Sequence, residues 1–154
     1  MEPQHFIDAH KAWLGVLLPL CFVGFWCLIT GLVSFLGGWH TLSERFVATT
    51  PFPGITEGLQ SGQMRWGVNY RGCLRLGANQ EGLSLSVLFL FRFMHPPLFI
   101  PWHEIRVSRR KRLLFGDYVT LSIEREQEIP LRIAGATAQM LSDSAGTAWP
   151  VEEV

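Results

Sequence analysis

The sequence predicts a mainly β fold on one N-terminal transmembrane α-helix: a small antiparallel barrel or sandwich closed by a short C-terminal helix. Three observations predict it. Residues 12–39 (AWLGVLLPLCFVGFWCLITGLVSFLGGW) carry no charged side chain. Residues 118–124 and 129–133 alternate apolar and polar with the two-residue period of strands. Residues 134–142 (AGATAQMLS) then suit a short helix.

The chain has 154 residues. An arm (1–11) and a helix (12–39) leave room for one small domain with its own core, not two. About 20 apolar residues suffice to cross a hydrocarbon core roughly 30 Å thick, so residues 12–39 can span it even when tilted. Pro19, Gly24, Gly31, Gly37 and Gly38 offer places to kink, but two crossings would need about twice the length, so one tilted helix is expected. Trp13 and Trp39 lie near its ends, where indoles favour the lipid–water interface, and are expected as interface anchors. The leader MEPQHFIDAHK contains Glu2 and Asp8 with only Lys11 as a basic residue, and no A-x-A site follows the apolar run. A retained span is therefore expected, not a cleaved signal. Lys11 before the helix and Arg45 after it balance, so flanking charge sets no orientation.

Residues 40–63 hold Pro51, Pro53, Gly54, Gly58 and Gly62 and read as an irregular linker. Thr41-Leu42-Ser43-Glu44 matches a capping box with room for about one helical turn. A β-rich domain is expected over 64–143, with a loose tail at 144–154. Residues 65–70 and 71–76 are short strand candidates, and 79–82 a turn. Residues 82–94 (GLSLSVLFLFRFM) read as the strongest strand, with Leu83, Leu85, Val87, Phe89, Phe91 and Phe93 on the inward parity. His95-Pro96-Pro97 breaks it, because proline cannot donate to a ladder. Extended structure resumes at 98–100 and 104–107. Residues 118–124 and 129–133 then form a hairpin around a turn at 125–128, with Val119, Leu121, Ile123, Ile129, Leu131 and Ile133 inward and Glu124 outward.

The strand start Gly82-Leu83-Ser84-Leu85, the block Pro97-Leu98-Phe99-Ile100-Pro101-Trp102-His103-Glu104-Ile105, and the basic stretch and hairpin after it resemble the bacterial membrane-anchored PH-like or GRAM-like modules. The resemblance covers about residues 64–141. It implies a curved antiparallel sheet with a C-terminal helix and a binding or scaffolding role without catalysis. The His-Pro-Pro break and the long apolar run before it depart from that pattern.

Formal net charge is zero, which gives no global pull toward nucleic acid, and no nucleic-acid partner is expected. Cys21, Cys27 and Cys73 form no C-x-x-C pair, so neither a disulfide framework nor a zinc knuckle is indicated. The five histidines show no metal-binding spacing. His5 and His10 could meet on one helix but lack a third ligand, so neither metal nor other cofactor is expected. No G-x-S-x-G elbow, G-x-x-x-x-G-K loop or G-x-G-x-x-G fingerprint occurs, and a non-enzymatic role is expected.

Two clusters remain as contact candidates. Arg106, Arg109, Arg110, Lys111 and Arg112 either meet anionic headgroups, at about 1 kcal/mol each near a bilayer, or solvate a hairpin loop. Phe93, Met94 and Phe99, in the apolar turn 91–99, form either a contact surface or barrel core. Gly24 and Gly31 offer flat patches to another helix. The expected role is a membrane-anchored accessory or scaffolding protein of the bacterial inner membrane, single-pass, with its domain in the cytoplasm. Its partners would be the lipid bilayer, anionic headgroups or other membrane subunits. The alternative is a small subunit of a respiratory or photosynthetic complex, held mainly by its helix.

Overall fold

A computed structural model describes the backbone of residues 3–112, 116–124 and 126–153, and the side chains of residues 11, 13–108, 116–124 and 126–151. Helix α1 (Pro3–Gly37) runs unbroken through Pro19. Its segment Trp13–Gly37 has a mean hydropathy of 2.4 and is long and apolar enough to cross a membrane. Only 6% of its most apolar stretch is buried by the rest of the protein. Trp13 is 71% exposed.

The helix stops at a glycine pair. Gly38 takes the left-handed conformation (φ 85°), which ends α1 and redirects the chain into α2 (Trp39–Phe46). A Cβ on Gly37 would stand 3.1 Å from the Tyr70 hydroxyl, and one on Gly38 3.1 Å from Ile129. Only glycine lets the helix end settle this closely on the domain. Trp39 is therefore not an interface anchor: it is fully buried, its ring packed between Tyr70 and His95 at centroid distances of 5.7 and 5.1 Å.

Eight strands follow: β1 (Thr56–Gln63), β2 (Asn69–Ala78), β3 (Gly82–Val87), β4 (Leu98–Pro101), β5 (Ile105–Arg112), β6 (Gly116–Ile123), β7 (Ile129–Ala134) and β8 (Glu152–Glu153). They form one sheet in the order β4-β3-β2-β1-β7-β6-β5-β8, antiparallel except where β8 joins β5. The first seven curl into a nearly closed barrel. β1 carries two register irregularities against β2 and a left-handed Leu59 (φ 58°), the kind of break that increases bend and twist. Helix α3 (Gly135–Ala145) packs on the sheet through Ala138, Leu141 and Ala145. The core is aliphatic: Leu74, Leu76, Leu83, Leu85, Leu98, Ile100, Val107 and Val119 are buried to 1% exposure or less. At Gly82 the strands approach so closely that a Cβ would lie 2.4 Å from the Ile100 carbonyl oxygen, the reason glycine opens β3.

The fold class matches the expected one, and Val119, Leu121, Ile123, Ile129, Leu131 and Ile133 all point inward. Five further expectations are corrected. Residues 40–63 are not an irregular linker but contain α2 and β1. Thr41 lies inside α2, not at a cap, because the helix starts at Trp39 with Gly38 at its N-cap. Glu124 turns inward (φ 66°, 4% exposed) to pair with Arg45 of α2. The tail is tied down: Trp149 stacks on Trp102 at 5.3 Å, and β8 pairs with Val107 and Ser108. Residues 82–94 are not one strand: β3 ends at Val87, and a turn at Phe89–Phe91 leads the chain out of the barrel.

Trp39 is the joint between helix and barrel. Trp39→Ala should cost about 3–5 kcal/mol, the usual range for emptying a buried aromatic site. Denaturant unfolding of the full chain in detergent would measure it.

Candidate functional site: a seam between helix and loop

Leaving β3, residues 88–97 do not continue a ladder but lie along the C-terminal half of α1. Leu88 and Leu90 stand on the parity opposite Val87, and His95-Pro96-Pro97 blocks a return to strand pairing, so after the Leu88 N–H bond to the Cys73 carbonyl of β2 the stretch leaves the sheet. Many of its backbone polar groups find partners within the loop and on the helical segment. Within the loop, the N–H groups of Phe91, Arg92 and His95 donate to the carbonyls of Leu88, Phe89 and Arg92. Trp26 Nε1 donates to the Leu90 carbonyl at 3.1 Å, and Ser34 Oγ donates to that of Met94. Trp39 Nε1 donates to the Pro96 carbonyl at 2.9 Å, and the Ala48 amide to that of Pro97 at 2.9 Å.

The helix face that receives the loop is built from small and hydroxyl side chains. Thr30 and Ser34 are 5% and 0% exposed on a helix whose large apolar side chains are mostly exposed. Thr30 Oγ1 bonds back to the carbonyls of Trp26 and Cys27, satisfying itself within the helix. A Cβ on Gly31 would meet Met94 Sδ at 3.1 Å and Phe93 at 3.7 Å. The patch at Gly31 is thus covered by the protein's own loop, whereas a Cβ on Gly24 would meet nothing within 4 Å. Trp26 stacks on Phe91 at 5.4 Å.

At the base of the seam, His95 is 1% exposed. Its Nδ1 faces the Phe93 carbonyl at 3.0 Å, and a carbonyl can only accept, so Nδ1 carries the proton. Nε2 is then free to accept from the Tyr70 hydroxyl at 3.0 Å. Burial lowers the His95 pKa, with hydrogen bonds to the Phe93 and Phe91 carbonyls opposing it, and burial raises that of the Tyr70 phenol. Both groups are therefore held neutral. The Cys73 thiol is likewise pushed up by burial, which keeps it from the reactive thiolate form.

Phe93 and Met94 lie together on this seam, half exposed, and Phe89 and Leu90 beside them are more exposed still. The inward parity expected for Phe89, Phe91 and Phe93 does not hold for Phe89 and Phe93, because β3 ends before them, whereas Phe91 stays partly buried against the core. Phe99 is elsewhere, on the outer face of β4 against Phe52 at 6.2 Å. Arg106 is exposed on β5. The side chains of Arg109, Arg110, Lys111 and Arg112 lie outside the described residues, as do those of His5 and His10. The backbone register nevertheless places those four positions. Ile105 pairs with Ile123 and Ile123 with Ile129, the residue that meets Gly38 at the end of α1. Arg112 is seven residues further along β5, about 23 Å of strand away from that landing.

Ser34 and Tyr70 are site residues that pattern reading does not single out, and for His95 it gives the turn but not the buried bond to Tyr70. Thr30 and Ser34 could have been found, since two hydroxyls four residues apart around Gly31 mark a packed stripe in an apolar helix. Nothing in the sequence pairs Tyr70 with His95.

His95 makes the seam pH-sensitive, with a determined sign. A folded pKa below the ordinary 6.5 means that the unfolded chain binds the proton more readily. The stability due to neutral His95 is complete above the unfolded value and is lost as pH falls through 6.5 toward the folded value. The thermal midpoint of the full chain in detergent should drop on acidification across this window. His95→Gln should flatten that drop, and His103→Gln, at an exposed site, should leave it unchanged. No protein-family model, curated protein or solved structure matches this chain, so what the seam does is argued from its own geometry.

Proposed function

We propose that this chain is a non-enzymatic, single-span membrane protein whose β-domain is seated against the bilayer in one fixed orientation, as an accessory or scaffolding component. Helix α1 crosses the membrane. Residues 88–94 dip beside it into the headgroup–acyl boundary with Phe89, Leu90, Phe93 and Met94 toward lipid. The resemblance to PH-like modules supports a binding role for the domain and its placement on the cytoplasmic side of a bacterial inner membrane.

The observation that carries this reading is the hydrogen bonding of the loop. Irregular backbone is tolerated at membrane depth only where its polar groups find partners inside the protein. Trp26 and Ser34 supply those partners from the apolar helix itself. Trp26 is 11 residues before Gly37, about 16 Å along the helix axis, so the loop reaches well down the span. A loop meant for water would gain little from tryptophan and serine donors on a helix that otherwise exposes Leu, Val and Phe.

The seating is testable in lipid nanodiscs. A nitroxide at Leu90→Cys, with Cys21, Cys27 and Cys73 changed to Ala, should be reached by oxygen and shielded from a water-soluble nickel relaxant. The same label at Gln139→Cys on α3 should show the reverse. Aqueous access at position 90 equal to that at 139 would overturn the reading.

A further inference from the structure

On the outer face of β2–β3–β4, immediately beside the loop, lies a cleft of about 830 Å³. The cross-strand pair Arg75↔Ser86 and the residue Ser84 form its floor. Residues 47–54 form its wall, held by the Val47↔Leu98 bridge, the Ala48 N–H to Pro97 carbonyl bond and the Phe52–Phe99 ring contact. Arg92, from the loop itself, completes the lining.

The charges of the cleft are unequal. Three arginines, Arg45, Arg75 and Arg92, and one carboxylate, Glu81, line it. Arg45 is already held by Glu124. Among the described residues neither Arg75 nor Arg92 makes an ion pair, and both are exposed. Glu81 lies before the start of β3, five residues from Ser86 and thus about 16 Å along the strand from the Arg75 end. Two uncommitted guanidiniums therefore line the same cleft as the Ser84 and Ser86 hydroxyls, with Arg75 directly across the strands from Ser86. That donor set suits a phosphate oxyanion, which guanidinium groups bind through paired N–H bonds.

We propose that this cleft binds the phosphate of an anionic phospholipid headgroup from the leaflet in which the loop is seated. The position selects a lipid over a soluble ligand: Arg92 is bracketed by Phe91 and Phe93, so an anion on Arg92 sits where loop and bilayer surface meet. The pair Leu74↔Val87 puts Arg75 one residue from the point where the chain leaves the barrel for the loop. The basic hairpin at Arg109–Arg112 is remote from this point along β5. The inference rests on the proposed seating of the domain.

The test uses the full chain, delipidated in detergent and titrated with dioctanoyl phosphatidylglycerol, dioctanoyl phosphatidylcholine and inorganic phosphate, with binding read by native mass spectrometry. One phosphatidylglycerol per chain is expected, bound about tenfold or more tighter than phosphatidylcholine. R75A/R92A should lose that preference, at about tenfold per charge-assisted contact. R75K/R92K, which restores the charge, should retain it, as should R71A on the same strand outside the cleft. Equal affinity for the two lipids overturns the proposal on wild-type protein alone, whether or not a variant folds. A preference that survives in R75A/R92A also overturns it. Inorganic phosphate binding as tightly as the lipid, with the same arginine dependence, makes the ligand a soluble phosphate and overturns the lipid assignment. A lipid-exposed label at position 90 together with no headgroup preference would remove the cleft assignment and leave the seating intact.

Discussion

An irregular stretch of backbone laid against an apolar helix has to have its carbonyls satisfied, and much of this structure follows from that constraint. The donors come from three places on the helical segment: the Trp26 indole, the Ser34 hydroxyl and the Trp39 indole. Each one fixes both a depth along α1 and a rotation about its axis. The helix cannot turn without withdrawing Ser34 from Met94, and the loop cannot slide without losing Trp26. Close approach at Gly31 lets Met94 settle on the helix, and the left-handed Gly38 lets Trp39 enter the barrel directly after it. Helix, loop and barrel are thus one mechanical unit, in contrast to a domain on a flexible tether.

The parts legible in the sequence were those in which one periodicity acts alone. Residues 118–123 and 129–133 alternate because one face meets the core and the other solvent, and they fold as read. The uncharged run 12–39 marks α1 for the same reason, since length and composition suffice. Residues 82–94 misled because two environments follow one another without a change of composition. Leu83, Leu85 and Val87 face the barrel core, while Phe89, Leu90 and Phe93 face outward beside α1. Apolar residues suit both places, so parity carried across Val87 where the strand itself did not.

The segment 40–63 failed in the opposite direction. β1 reads TEGLQSGQ, with one aliphatic residue that is itself exposed, and its pairing with β2 and β7 rests on backbone hydrogen bonds, not on a buried face. Glycine density there signals bends that a tightly curled barrel needs, although the same composition ordinarily marks a linker. Trp39 was read as a lipid anchor from its place at the end of the apolar run. The glycine pair before it is what moves it to the core, because a chain that reverses at Gly38 delivers its next side chain to the domain.

The cluster of Trp39, Tyr70 and His95 holds the buried seam together without carrying charge. A salt bridge at this position would incur the desolvation of two ions, a cost that often exceeds the Coulombic return. Tyr70, His95 and the Phe93 carbonyl make instead a chain of neutral donors and acceptors in which each hydrogen has one destination. Full charges are kept outside it: Arg45 meets Glu124 at the far end of α2, and Arg92 opens to the cleft. Neutral hydrogen bonds in the buried joint and guanidiniums at its rim are the order that the proposed seating against a bilayer calls for, and here it is set by residues from four separate elements.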